Sequence, residues 1–171
     1  MYRILGTVDV DGRAPEFRAR DVQGREIVTD AFLGRSSLVL FFYRNGQCKT
    51  CRAELADLAD KYSLVSGEDA EVIAISTDGI DGVKDLAVDL RLPFPVISDP
   101  DARIIRLYDV YDDATKTACP TVFIVDMQGV VRFRKTIEGL DDLVPAVDIV
   151  NRLKSLGIMH GKEPFKSSRY R

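Results

Sequence analysis

The sequence predicts an α/β fold in which a central mixed sheet is flanked by helices. Between residues 38 and 108, short apolar segments typical of buried strands alternate with segments whose apolar residues recur at helical spacing. Towards the carboxyl end, the order changes to two strand segments followed by one amphipathic helix. Alternating strands and helices predict parallel neighbours, and a closing hairpin adds antiparallel strands to the same sheet.

The individual elements follow from local pattern. The predicted strands share runs of apolar or β-branched residues, and they lie within residues 14–28 (two strands with a turn at 23–24), 38–43, 71–76, 93–97, 121–125 and 130–134. The predicted helices share apolar residues at helical spacing, and they cover residues 49–64, 81–90, 102–108 and 141–156. The segment Asp99-Pro100-Asp101 is expected to cap the third helix.

Composition and charge indicate one globular domain with an ordinary buried core. Of the 171 residues, 46% are hydrophobic and 30% are charged. A net charge of −3 gives no general reason to expect nucleic acid or an anionic membrane as a partner. No segment reaches the roughly 18 apolar residues of a membrane helix, and the first 20 residues lack an apolar signal core, so we expect a cytoplasmic protein. The domain is expected to cover residues 1–157, followed by a basic tail over residues 158–171.

The most informative motif is Cys48-Lys49-Thr50-Cys51, at the junction of the strand over residues 38–43 and the following helix. Unpaired N–H groups and the helix dipole stabilise a thiolate at Cys48, and Cys51 lies about one turn further on. Because the thiolate is the nucleophile of disulfide exchange, this placement predicts a redox pair. The alternatives are an inert pair or half a metal site, but a closed zinc site needs about four ligands and the chain adds only Cys119 and His160.

Four further residues are candidates for supporting the pair. Pro120 either starts a strand or forms a cis bond with Cys119 that exposes the backbone of residue 119 to a substrate peptide. Glu54 either complements the helix dipole or accepts the proton of Cys51. Arg44 adds positive charge that lowers a thiol pKa. Cys119 is either a buried small hydrophobe, a second resolving thiol or a metal ligand.

The chain resembles a known family on these motifs. Residues 47–55 are similar to the Cys-x-x-Cys-Arg-x-Glu segment of thioredoxin-like membrane-anchored reductases. The wider chain, from about residue 8 to residue 155, resembles the alkyl hydroperoxide reductase/thiol-specific antioxidant (AhpC/TSA) family, the peroxiredoxins and their relatives. The segments that carry this likeness are residues 14–17, 72–78, 92–101 and 123–126. The resemblance implies a thioredoxin-like fold with a peroxiredoxin-type N-terminal extension.

The site departs from the peroxidase pattern of that family, Pro-x-x-x-Thr-x-x-Cys. Aligned on the shared glutamate, the peroxidatic cysteine falls on Cys51, the threonine on Cys48 and the proline on Arg44. The arginine that precedes the Phe-Ile-x-Asp strand in peroxiredoxins falls on Pro120, which leaves Arg44 as the candidate guanidinium. Thioredoxins usually hold a buried aspartate six residues before the first cysteine, where this chain has Phe42.

Three functions stay open at this point. The favoured one is a thiol–disulfide oxidoreductase in which Cys48 attacks a disulfide, Cys51 resolves the mixed disulfide and Pro120 shapes the docking groove. The second is a thiol peroxidase in which Cys51 is oxidised to sulfenate and condenses with Cys48. The third is a non-enzymatic redox sensor. No cofactor is expected, whereas a disulfide-containing protein or small molecule, or a hydroperoxide, is the expected substrate. The reductant would be a thioredoxin-like protein or a small thiol, and a homodimer is an option by analogy.

Overall fold

The structure, a computed structural model, describes residues 8–159 and centres on a five-stranded sheet of order β5-β4-β3-β8-β9. Its strands are β3 (Ser37–Phe42), β4 (Ala70–Ser76), β5 (Val96–Ser98), β8 (Thr121–Val125) and β9 (Val131–Thr136). Two small hairpins lie outside it, β1 (Arg18–Arg20) with β2 (Glu26–Val28) and β6 (Tyr111–Asp112) with β7 (Thr117–Ala118). The α-helices are α1 (Lys49–Asp60), α2 (Tyr62–Ser66), α3 (Ile80–Asp89), α4 (Arg103–Leu107) and α5 (Ala146–Met159).

The central sheet is mixed, as the sequence predicts. Strand β3 pairs in parallel with β4 and β4 with β5, whereas β8 runs antiparallel to both β3 and β9. All six residues of β3 are buried, which confirms the strand expected to be covered on both faces. Because β3 and β4 are parallel, the loops after their carboxyl ends meet at one edge of the sheet.

Each face of the sheet has its own hydrophobic core. Val39 and Phe41 point into a core completed by α1, α2, α3 and α5, which includes Cys51. Leu40 and Phe42 point into the opposite core, which α4 and the N-terminal segment cover. The alternation follows from the two-residue period of side chains along a strand. The sheet with helices on both faces confirms the predicted fold class.

The segment before β3 forms the predicted N-terminal extension. It contains the β1–β2 hairpin and a short 3-10 helix over Thr29–Phe32. Upstream, Asp11 N–H donates to the Val131 carbonyl and Ala14 N–H donates to the Gly129 carbonyl, so the chain runs along β9. Phe17 from this segment is buried in the second core.

Several predicted boundaries differ from the observed ones. The helix expected over residues 49–64 is divided at Lys61, whose φ of −101° and ψ of 10° leave the helical region. The last helix begins at Ala146 rather than at residue 141, because Pro145 restricts the residue before it to extended conformations. The β6–β7 hairpin was not expected. Asp99 caps α4 as predicted, since its carboxylate accepts the N–H groups of Arg103 and Ile104.

The predicted domain boundary at residue 157 lies inside α5, which continues to Met159. The remainder of the predicted basic tail, residues 160–171, lies outside the described residues. Within residues 8–159, no helix is long and apolar enough to cross a membrane.

Candidate functional site

The loop between β3 and α1 is fixed by side chains on both sides of one glycine. Gly46 N–H donates to Asp78 Oδ2 at 2.7 Å, and the Gly46 carbonyl accepts from Arg52 Nη1 at 2.9 Å. At the end of the loop, Cys48 N–H donates to the Asn45 carbonyl at 3.3 Å. These contacts place the first cysteine at the start of α1.

Cys48 is the N-cap residue of α1, as the strand-to-helix junction predicts. Its backbone is extended, with φ −69° and ψ 111°, and its Sγ accepts a hydrogen bond from Cys51 N–H at 3.2 Å. An N-cap side chain normally accepts from the second or third helical N–H, and here the acceptor is sulfur. A thiolate at this point is stabilised both by that N–H and by the positive end of the helix dipole. Cys48 is partly exposed.

Cys51 lies beneath it and is fully buried. Its Sγ accepts from Arg44 N–H at 3.4 Å. Burial, followed by the hydrogen bond to Cys48, raises the pKa of the Cys51 thiol to about 12, while the Arg44 N–H and the Arg44 charge act in the opposite direction. At neutral pH Cys48 is therefore the accessible thiol, and Cys51 holds its proton.

Glu54 is a buried carboxylate on the same helix. Its Oε1 accepts from Val144 N–H at 2.9 Å, in the segment that leads into α5, and its Oε2 has no hydrogen-bond partner among the described residues. Burial raises the pKa of Glu54 to about 7, against a lowering contribution from the Val144 N–H. Glu54 lies beyond the first turn of α1, which contains no acidic residue, so the interpretation as a complement to the helix dipole is wrong. Glu54 lies one helical turn after Cys51, and its role as proton acceptor stays a prediction.

Of the two alternatives for Pro120, the cis bond is wrong, because the Cys119–Pro120 peptide bond is trans; Pro120 directly precedes β8, as the other alternative predicts. The backbone of Cys119 is also occupied within the chain. Its N–H donates to the Val110 carbonyl at 2.7 Å, and its carbonyl accepts from Thr121 Oγ1 at 2.9 Å. The N–H of residue 119 is therefore not free to pair with a substrate peptide, and its carbonyl already accepts one hydrogen bond. Pro120 itself is buried, and its carbonyl accepts from Ile137 N–H.

Arg44 contacts the unexpected β6–β7 hairpin. Its Nη1 donates to Thr115 Oγ1 at 2.9 Å and lies 3.5 Å from Thr117 Oγ1 and 3.6 Å from Asp112 Oδ2. Cys119 lies in the same region: burial and then Asp112 raise the pKa of its thiol, whereas the charge of Arg44 lowers it. The structure therefore brings Arg44 close to both Cys51 and Cys119.

An open groove of about 810 Å³ lies beside the redox loop. Residues 45–47 form one side, and the start of α3 with Asp78 and Asp85 forms the other. Arg52 pairs with Asp89 across it. Cys48 follows the lining residues 45–47 directly in the chain but does not itself line the groove. Within residues 8–159, no three His, Cys, Asp or Glu side chains are arranged to hold a metal ion.

Asp78 is the functional residue that the sequence analysis missed. It follows β4 by two residues, and β4 is the parallel neighbour of β3. Polar residues after the carboxyl ends of adjacent parallel strands meet at one sheet edge, so its position in the sequence could have indicated a contact with the redox loop. The Thr115–Thr117 contact to Arg44 had no comparable signal, because the hairpin strands are two residues long.

The family model described as "AhpC/TSA family" matches residues 10–134, which cover the extension, the redox loop and four of the five sheet strands, with most of the fifth. The chain belongs to the AhpC/TSA family. Among relatives, it is 30% identical to Peroxiredoxin 1 of Sulfuracidifex metallicus over 110 residues, 61% of this chain and 51% of that protein. It is 27% identical to alkyl hydroperoxide reductase E of Mycobacterium tuberculosis over 128 residues, 74% of this chain and 84% of that protein.

Solved structures support the same AhpC/TSA architecture. Peroxidoxin BcpB from Mycobacterium tuberculosis superposes with a TM-score of 0.78 at 21% identity, covering 87% of this chain and 98% of the other. Enterococcus faecalis AhpC superposes with a TM-score of 0.76 at 22% identity, covering 92% and 98%. At these identities the likeness establishes the fold. The chain spans about half to three fifths of the length of the first curated relatives that it matches.

Proposed function

We propose that this AhpC/TSA protein is a thiol–disulfide oxidoreductase in which Cys48 is the attacking thiol and Cys51 the resolving thiol. One observation carries the proposal. Cys48 is partly exposed and caps α1 through its sulfur, whereas Cys51 is fully buried and has a pKa raised to about 12. A nucleophile must be accessible and must be able to ionise. Cys48 is accessible, whereas burial disfavours the thiolate of Cys51.

The first step forms a mixed disulfide. The Cys48 thiolate attacks one sulfur of a substrate disulfide, a bond forms from Cys48 Sγ to that sulfur, and the other substrate sulfur leaves as a thiolate. The helix dipole and Cys51 N–H stabilise the attacking sulfur before reaction. The groove lined by residues 45–47 would bind the part of the substrate that flanks its disulfide.

The second step releases the reduced substrate. Cys51 loses its proton and attacks Cys48 Sγ, which forms the Cys48–Cys51 disulfide and expels the second substrate thiolate. Because burial holds the proton on Cys51, this step needs a proton acceptor. Glu54, with a pKa raised to about 7, is half ionised near neutral pH and is the proposed acceptor.

A thiol peroxidase is the second candidate, and family membership favours it. The relatives named above are a peroxiredoxin and an alkyl hydroperoxide reductase. In this mechanism the Cys51 thiolate attacks the terminal peroxide oxygen and becomes a sulfenic acid, and an alcohol or water leaves. Cys48 then condenses with the sulfenic acid, and water leaves as the disulfide forms. Cys51 is fully buried, so its sulfur is not exposed in the described conformation. A peroxide would first have to reach this sulfur.

The proposed partners follow from this chemistry. The substrate would be a disulfide-containing protein or small molecule, or a hydroperoxide for the second candidate. A thioredoxin-like protein or a low-molecular-weight thiol would reduce the Cys48–Cys51 disulfide again. Pro120 is buried, so it would shape the docking groove from beneath, through the position of the neighbouring Cys119, and not by direct contact with the substrate. A homodimer is proposed by analogy with peroxiredoxins.

Two activity assays on three variants test the proposal. Reduction of a protein disulfide and consumption of hydrogen peroxide are measured for Cys48→Ser, Cys51→Ser and Cys119→Ser. We expect Cys48→Ser to lose disulfide reduction, and Cys119→Ser to retain it as the matched control. If Cys48→Ser keeps fast peroxide consumption while Cys51→Ser loses it, the peroxidase is the correct function. If the wild-type protein shows no turnover in either assay, the function is instead that of a redox sensor.

A further inference from the structure

The β6–β7 hairpin contacts the redox site through one side chain. Arg44 lies two residues after the end of β3, just before the redox loop, and its guanidinium contacts the hairpin. We propose that Thr115 and Thr117 are positioning residues, which hold the Arg44 guanidinium near Cys51 so that its charge assists the release of the reduced substrate. This inference rests on the proposed function, in which Cys51 is the resolving thiol.

The contacts form a compact set of oxygen acceptors around one nitrogen. Arg44 Nη1 lies 2.9 Å from Thr115 Oγ1 and 3.5 Å from Thr117 Oγ1, and the two hydroxyl oxygens are 2.7 Å apart. Asp112 Oδ2 lies 3.6 Å from the same nitrogen. The hairpin itself is closed by Lys116 N–H donating to the Asp112 carbonyl at 2.8 Å. The backbone of the turn is therefore held by this bond, and the two hydroxyls contact each other as well as Arg44.

Hydroxyl groups suit this task better than carboxylates alone. A partly exposed arginine has many rotamers, and each contact with a fixed oxygen reduces their number. Asp112 also attracts the guanidinium, but its negative charge offsets the field that Arg44 exerts on nearby sulfurs. Thr115 and Thr117 are neutral, so they restrict the side chain without adding to the negative charge of Asp112.

The charge of Arg44 acts on the thiol of Cys51. The backbone N–H of Arg44 donates to Cys51 Sγ at 3.4 Å, so the guanidinium, which contacts Thr115, lies one side-chain length from the residue that contacts the buried sulfur. During the second step a negative charge develops on this fully buried sulfur. The Arg44 charge lowers the pKa of Cys51 against the effect of burial. Movement of the guanidinium towards solvent would therefore slow the second step and leave the first unchanged.

Stopped-flow reaction with the uncharged disulfide dithiodipyridine separates the two steps. Cys48 releases one thiopyridone as the mixed disulfide forms, and Cys51 releases the second as the internal disulfide closes. All variants carry Cys119→Ser, so that no third thiol reacts. Adding Cys51→Ser removes the second release and identifies the phases. A first phase that persists in Cys48→Ser would overturn the proposed function rather than this inference.

The hydroxyls are tested by isosteric and conservative replacements. We expect Thr115→Val with Thr117→Val to slow the second phase about threefold, the size expected when a guanidinium moves a few ångströms at an effective dielectric constant of about 20. The corresponding Ser variant should retain the wild-type rate. In an Arg44→Gln background the Val substitutions should have no further effect, because their target is gone.

Three results would overturn the inference. They are an unchanged second phase in the Val variant, equal slowing in the Val and Ser variants, and additive slowing in the Arg44→Gln background. If the double Val variant does not fold, the single Thr115→Val variant at an exposed position serves for the same comparison.

Discussion

The buried carboxylate of Glu54 makes the stability of this protein depend on pH in a defined way. We consider Glu54→Gln, which removes the ionisable group and keeps an oxygen that can accept the Val144 N–H at the start of α5. Wild-type Glu54 has no exposed surface, and one of its oxygens lacks a partner among the described residues. Ionisation in this site is therefore costly, and the variant does not have that cost.

The size of the effect follows from the pKa of Glu54, which rises from 4.5 to about 7 on folding. Well below pH 4.5 the Glu54 carboxyl is protonated in both the folded and the unfolded state, so the stability that the neutral carboxyl contributes to the folded state is fully present. As pH rises, the unfolded chain ionises first, and folding stability is lost until the folded carboxyl has also ionised near pH 7. At about 1.36 kcal/mol for each pKa unit, the loss is about 3 kcal/mol by pH 8.

Urea unfolding of wild type and Glu54→Gln at pH 4.5 and pH 8 measures this difference. The free energy of unfolding of the variant, relative to wild type, should rise by about 3 kcal/mol between the two pH values. Glu16→Gln, which removes an exposed carboxylate, is the matched control and should show a relative change below about 0.5 kcal/mol. A relative stability of Glu54→Gln that does not change with pH would refute the reasoning.

Three further substitutions have specific expected results. Asp78→Ala removes the acceptor of Gly46 N–H, which helps to place Cys48 at the start of α1, so the rate of Cys48 alkylation should fall about fivefold relative to wild type. An unchanged rate would mean that this contact does not position the loop. Leu55→Ala leaves a cavity at a fully buried position and should lower the free energy of unfolding by about 3 kcal/mol in urea titration, with a loss below 1 kcal/mol contradicting the packing account. Cys119→Ser should form the internal disulfide in full on peroxide treatment, and its absence by intact mass would assign Cys119 a direct role.

The sheet and its helices could be predicted because their signals are local. The apolar run of β3 and the helical spacing after Cys48 both lie within single segments of sequence. The start of α5 was placed five residues early because the acidic residues before Pro145 were included in its amphipathic pattern. The β6–β7 hairpin was missed because strands of two residues have no detectable period.

The sequence identifies which residues belong to the candidate site, but it does not identify all of the contacts that those residues make. The N-cap position of Cys48 followed from the order of strand, loop and helix. The partners of Arg44 are Thr115 and Thr117, which lie 71 and 73 residues away in sequence, so no spacing rule could identify them. The cis bond at Pro120 was a possibility raised by sequence context, and the trans bond in the structure shows that such context does not determine the isomer.

Trapping of a mixed disulfide tests the central claim most directly. Reduced Cys51→Ser protein is mixed with a small disulfide, and the adduct is located by intact mass and peptide mapping. The account predicts one stable adduct on Cys48, because the resolving thiol is absent and Cys48 is the accessible nucleophile at the start of α1. The contrary result is a Cys51→Ser protein without adduct on Cys48, together with a Cys48→Ser protein that forms an adduct on Cys51 with the same disulfide, or a sulfenic acid on Cys51 when it is treated with hydrogen peroxide instead.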